Sequence, residues 1–203
     1  MRWLFLLLGG LGCVWTGCTA TPLPEAPFEG DFEFEPGTGS VPFTAIAGSI
    51  DPDHVLRIWE LDTNAPPQNL APNPDGSITG MLTALATRVR LEVRDRGGRR
   101  SLPLDLNVPS GGRLMLAECI DVATQLEVEE GVPELLELRN DCPMPVEVVM
   151  RTRVIAPITL PTEPVSLATG ESTTFEITAT STTDEIVFIN VLDQDRPLTV
   201  FTR

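Results

Sequence analysis

Arg88-Val-Arg-Leu-Glu-Val-Arg94 places Val89, Leu91 and Val93 on one side of an extended chain, with charges on the other. Period-two alternation of this kind is the mark of a strand with one face in a core. Asp95-Arg-Gly-Gly-Arg-Arg100 follows as a turn, and Leu102, Leu104, Leu106 and Val108 return on a single face. The segment is therefore a hairpin closing a sheet, with Pro103 marking an edge or a bulge in the return strand.

Working back from the hairpin, Val41–Gly48, Val55–Leu61 and Ser77–Leu82 alternate in the same way, the last after the turn formers Asn73-Pro-Asp-Gly76. Five or more short strands with Trp59 at their centre predict a β-sandwich over residues 29–108. Working forward, Pro109-Ser-Gly-Gly112 reads as a linker over 109–112. Beyond it, strand-like runs recur at Arg113–Ile120, Gln125–Glu129, Glu134–Cys142, Val146–Val154, Ser172–Ala179, Glu185–Leu192 and Leu198–Thr202. They predict a second sandwich over 113–203, so the fold expected is all-β, with two tandem Ig-like antiparallel sandwiches. A single larger sandwich sharing strands across Pro109 is the alternative.

Two resemblances sharpen this. Ala47-Gly-Ser-Ile-Asp-Pro-Asp53, followed by Ile58-Trp59 and by Val89–Asp95, resembles the polycystic-kidney-disease and cadherin-like Ig modules of bacterial surface proteins. Those carry Gly-Asp after the corner, where this chain has His54-Val55. Leu136–Val148 with Leu167–Ile177 resembles Ig-like modules of the major-sperm-protein or periplasmic-chaperone type, in which an Asn at a strand end precedes a change of sheet. Chaperone activity would need paired basic anchors, for which Arg151 and Arg153 are the candidates, although these two read better as a solvated alternating strand face.

The amino terminus sets the compartment. Arg2 forms a short positive region, Trp3–Trp15 is uncharged and mostly apolar, and Thr16-Gly17-Cys18 resembles the lipobox of bacterial lipoproteins. That resemblance implies a signal peptide over 1–17 and a diacylated Cys18 at the membrane, with Thr19 after it compatible with sorting to the outer membrane. Cys13 is the competing acceptor. Acylation at Cys18 leaves Cys119 and Cys142 as an even pair, expected to form a disulfide in an oxidising compartment. Residues 18–28 are Pro-rich without apolar periodicity and read as a semi-extended tether.

Composition narrows the function. The chain has no lysine, and removing Arg2 leaves 13 arginines against 29 acidic residues, which argues against nucleic-acid partners. Arg88, Arg90, Arg94, Arg96, Arg99 and Arg100 form the one basic concentration. They read either as a patch for an anionic surface polymer or acidic protein, or as a solvated strand face with a charged turn. Asp51 and Asp53, helped by Asp95, read either as an Asx-type turn or as oxygen ligands for calcium, the only cofactor considered. With one histidine, His54, and no Gly-x-Ser-x-Gly, His-Glu-x-x-His or phosphate loop, no catalytic set emerges. The expectation is a non-enzymatic cell-envelope lipoprotein acting as an interaction or scaffold module. The alternatives are a calcium-dependent or glycan-binding adhesion module, and a small hydrolase using paired carboxylates.

Overall fold

The computed structural model describes residues 22–35, 39–108, 110–113 and 119–202. The first module contains β1 (Phe32–Phe34), β2 (Ser40–Ala45), β3 (Val55–Glu60), β4 (Gln68–Leu70), β5 (Ile78–Thr83), β6 (Arg88–Arg94) and β7 (Leu104–Asn107). One sheet runs β1-β2-β5 and the other β4-β3-β6-β7. In immunoglobulin lettering these are A-B-E facing C′-C-F-G, so the strand order itself is Ig-like. Phe32, Val41, Phe43, Ile78 and Leu82 from the first sheet meet Leu56, Ile58, Val89, Leu91, Val93, Leu104 and Leu106 from the second.

The second module contains β8 (Ile120–Val122), β9 (Gln125–Val128), β10 (Glu134–Asn140), β11 (Val146–Thr152), β12 (Ile158–Thr159), β13 (Val165–Leu167), β14 (Ser172–Ala179), β15 (Asp184–Val191) and β16 (Gln194–Thr202). Its sheets run β12-β14-β10-β8 and β13-β11-β15-β16-β9, again the A-B-E and C′-C-F-G halves of an Ig-like sandwich. Leu136, Leu138, Phe175 and Ile177 pack against Val148, Val187, Ile189, Val191, Leu198 and Val200. The two modules share no sheet among the described residues.

Three expectations need correction. The second sandwich is not antiparallel throughout: β9 crosses to the far sheet and pairs parallel with β16, from Gln125↔Thr199 to Val128↔Thr202. In the return strand of the hairpin, Leu104, Leu106 and Val108 are buried but Leu102 is 65% exposed. Pro103 lacks the N–H a ladder needs, and β7 begins only after it. The tether is also shorter than its composition implies. Pro24 and Pro27 are buried, so residues 22–28 lie along the first module. The residues before Pro22, Cys18 among them, and residues 114–118 of the run expected over Arg113–Ile120, lie outside the described residues.

The predicted disulfide is present, with Cys119 and Cys142 bonded and Cα atoms 4.6 Å apart. It does not join the two sheets as an antibody-domain bridge does. Instead it fastens the entry of β8 to the end of β10, strands that already pair at Ile120↔Asn140. Beside it, Asn140 is fully buried. Its Nδ2 donates to the carbonyls of Met144, Leu167 and Ala168, and its Oδ1 accepts from Cys142 N–H. One side chain thus closes the β10–β11 turn onto the end of β13.

Candidate functional site

Strand alternation requires that β6, with its valines and leucine inward, turn Arg88, Arg90, Glu92 and Arg94 away from its own core. On β3 the same rule sends Leu56 and Ile58 inward and Arg57, Trp59 and Leu61 outward. This outward face is covered by the second module. Trp59 and Leu61 pack with Ile186 and Phe188 of β15 in a separate apolar cluster, all four at 3% exposure or less. Trp59, expected at the centre of the first sandwich, is buried on a central strand, but its side chain lies outside that sandwich's own core. Its ring lies between the modules, flanked by the guanidinium of Arg57 at 4.9 Å and that of Arg94 at 5.6 Å.

Two arginines clasp this seam reciprocally. Arg90 is fully buried and forms a bidentate pair with Asp105 of its own module, Nε to Oδ1 at 2.7 Å and Nη2 to Oδ2 at 2.8 Å. Its remaining donors reach the second module, at Pro197 O (2.6 Å), Thr124 O (3.0 Å) and Thr199 Oγ1 (3.1 Å). All five guanidinium N–H groups are thereby used. Arg153 does the converse. It pairs with Glu185 of its own module through Nε (2.9 Å) and Nη2 (3.0 Å). Its Nη1 donates to the first module's carbonyls of Thr63 (2.8 Å), Ala65 (2.9 Å) and Glu60 (3.3 Å). In each case a guanidinium neutralised at home binds backbone carbonyls across the seam. The rigid fork of arginine suits this double task, which a lysine ammonium could not perform.

A third charged cluster lies beside the clasps. Asp184, at the start of β15, accepts from Arg94 Nη2 (2.6 Å) and Arg100 Nη1 (3.0 Å) and forms an ion pair with Arg57 Nη2 (3.0 Å). Glu92, with no exposed side-chain surface, accepts from the same Arg100 nitrogen (3.0 Å) and from Thr199 Oγ1 (2.7 Å). Burial lowers the pKa of Arg57 and Arg94, and the Asp184 carboxylate opposes that effect in both. Farther along, Asp62 accepts from Arg88 Nε at 2.7 Å, and Arg88 Nη2 lies 3.7 Å from Asp195 of the second module. Burial alone would raise the Asp62 carboxyl, but hydrogen bonds from Arg88 and Thr87 outweigh it and hold the group below its usual range.

The six arginines expected as one basic patch are thus divided by the structure. Arg90, Arg94 and Arg100 belong to the seam, Arg88 reaches it at one edge, and only two stay with the turn. Arg96 donates to Asp53, and Arg99 Nε to Asp95 at 2.6 Å. Neither a solvated strand face nor an open cationic surface describes Arg90, Arg94 and Arg100. The sequence held no sign of this, because Thr199, Asp184, Glu185 and Arg153 lie about 60 residues or more downstream of β6 and read there as ordinary strand-surface positions.

Asp51 Oδ1 accepts Asp53 N–H at 2.8 Å, the Asx turn foreseen as one reading. Asp51, His54, Asp75 and Asp95 line a cleft of about 660 Å³ with residues 22–25 along its other wall. Among the described residues, no three His, Cys, Asp or Glu side chains converge closely enough to hold a metal ion. Hydrogen bonds from Ser77 hold the Asp75 carboxyl low. At Asp95 burial raises the carboxyl, but contacts with Arg99 bring it below its usual range. Both move away from the protonated state that a general acid needs.

No family model and no curated protein matches this chain. Solved structures of similar strand architecture include the D0–D1 domains of intimin, at 16% identity and a TM-score of 0.32 over 84% of this chain and 94% of that one. Domains 1–6 of the surface-layer protein SbsC match at 13% identity and a TM-score of 0.35, over 82% of this chain and 23% of that one. A glycosyl hydrolase family 2 member from Bacteroides cellulosilyticus matches at 9% identity and a TM-score of 0.34, over 81% and 23%. The chain spans about a quarter of the SbsC and hydrolase structures. Scores this low carry no information about ligand or activity.

Proposed function

We propose that this chain is a cell-envelope lipoprotein, acylated at Cys18, whose fused sandwiches serve as a non-enzymatic scaffold for other envelope proteins. The observation that carries the reading is the reciprocal seam. Its arginines, carboxylates and Trp59 hold one module against the other, which fixes the two sets of end loops in one relative geometry. A scaffold requires that fixed geometry, whereas modules on a free hinge would present their loops independently.

The test combines anchor and scaffold. Intact mass of the membrane-fraction protein should show a chain beginning at Cys18 with added acyl mass and no alkylatable thiol before reduction. Cross-linking in intact cells should then give discrete adducts that disappear in Arg90→Leu at equal protein abundance. A soluble, unacylated chain contradicts the anchor. Adducts unchanged by the seam variant contradict the scaffold.

A further inference from the structure

We infer that the acylated protein sits directly on the bilayer, with one defined end of the first module against the headgroups. This rests on the lipoprotein reading above and adds an orientation to it. Pro24 and Pro27 are buried and fasten residues 22–28 to the body. Leu23 lines a groove with Gly97–Arg100, Phe201 and Thr202. Pro22–Glu25 also form a wall of the cleft whose other walls are Gly48–Pro52, Pro74–Gly76 and Asp95. The leading residues are therefore docked at the end of the first module built from the β2–β3, β4–β5 and β6–β7 loops.

Chain length does the rest. Four Cα–Cα steps separate Cys18 from Pro22, a reach of roughly 14 Å even when fully extended. A lipid at Cys18 must hold that loop end close to the membrane surface. The opposite end is defined by pairing. Val55↔Arg94 lies at the docked end of the β3–β6 pair and Glu60↔Val89 away from it. Asp184 binds Arg94 near the docked end, whereas Asp195 lies beside Arg88. The β15–β16 turn at Leu192 and Asp193 consequently points away from the bilayer, roughly 20 Å farther out along six residues of strand.

The partner surface is a bilayer recruited by the anchor and not by charge. Glu25, Asp51, Asp53, Asp75 and Asp95 crowd this end beside Arg96, Arg99 and His54, which gives no net attraction for anionic headgroups.

The experiment places one fluorophore at Arg96→Cys or at Gln194→Cys, each labelled without reduction so that Cys119–Cys142 stays intact. Arg96 is an exposed turn residue of the docked end and Gln194 an exposed residue of the opposite end. The acylated chain, its lipid confirmed by mass, is reconstituted in phosphatidylcholine vesicles containing a headgroup-attached nitroxide quencher. The Arg96 probe should be quenched several-fold more than the Gln194 probe. A long Gly-Ser insertion between Thr21 and Pro22 should erase the difference. Equal quenching in the acylated chain without the insertion, or stronger quenching at Gln194, overturns the orientation while leaving the anchor standing. A chain without acyl mass overturns both.

Discussion

Strands β6 and β10 look alike in sequence and meet opposite fates. Arg88-Val-Arg-Leu-Glu-Val-Arg94 and Glu134-Leu-Leu-Glu-Leu-Arg-Asn140 both alternate, and both send their regular apolar positions into a core. On β10 the other face meets solvent, with Leu135, Glu137 and Arg139 exposed. On β6 that face is buried at Arg90 and Glu92, because the second module covers it. Alternation therefore tells which residues avoid their own core. It does not tell whether water or another sheet covers the rest. The distinction lies in partners distant along the chain, and those can be removed one at a time.

The largest effect is expected at Arg90. Arg90→Leu leaves Asp105 without its partner and strips the hydrogen bonds from Thr124 O, Pro197 O and Thr199 Oγ1. Breaking a buried pair from one side typically costs about 3–5 kcal/mol. Urea denaturation should show that loss, and the double variant Arg90→Leu with Asp105→Leu should recover much of it. A loss under about 1 kcal/mol would mean the seam is as solvated as the face of β10.

A smaller but comparable loss should follow replacement of Cys119 and Cys142 by alanine, roughly 3 kcal/mol for a loop of this length. Because that bridge lies wholly within the second module, the variant should keep a blue-shifted Trp59 emission in the native state. A red shift without denaturant would show that the seam depends on the staple. The smallest effect is expected on β10. Arg139, whose side chain is 55% exposed and pairs with exposed Asp141, should cost no more than about 0.5 kcal/mol as Arg139→Ala by the same denaturation. A cost like that of Arg90 would erase the contrast between the two strands.

How much of this was legible follows from the range of each interaction. The hairpin at 88–107, the Asx turn at Asp51 and the Cys119–Cys142 bridge depend on local pattern or on a simple count of cysteines, and the sequence displays them. Trp59 stands on a central strand, as its place among the alternating runs suggests, but which face of the sheet it takes was less plain. In Val55-Leu-Arg-Ile-Trp-Glu-Leu61, Leu56 and Ile58 take one face while Trp59 and Leu61 take the other, so hydrophobicity alone marks both faces. A strand apolar on two faces is one covered twice, and that was the available signal. Nothing comparable announced Arg153. A lone arginine at a strand end reads as solvated until three carbonyls from residues 60–65 are seen around it.

The central claim is that the seam fuses two sandwiches into one cooperative body. The most direct test is equilibrium urea unfolding of the chain beginning at Cys18, followed at once by Trp59 fluorescence and by far-ultraviolet circular dichroism. In that chain Trp59 is the only tryptophan, since Trp3 and Trp15 precede residue 18, so its emission reports the seam alone. The account predicts coincident curves with a single midpoint. Loss of the Trp59 signal at lower urea, with the β-sheet signal still native, would show the modules parting before either unfolds and would contradict it.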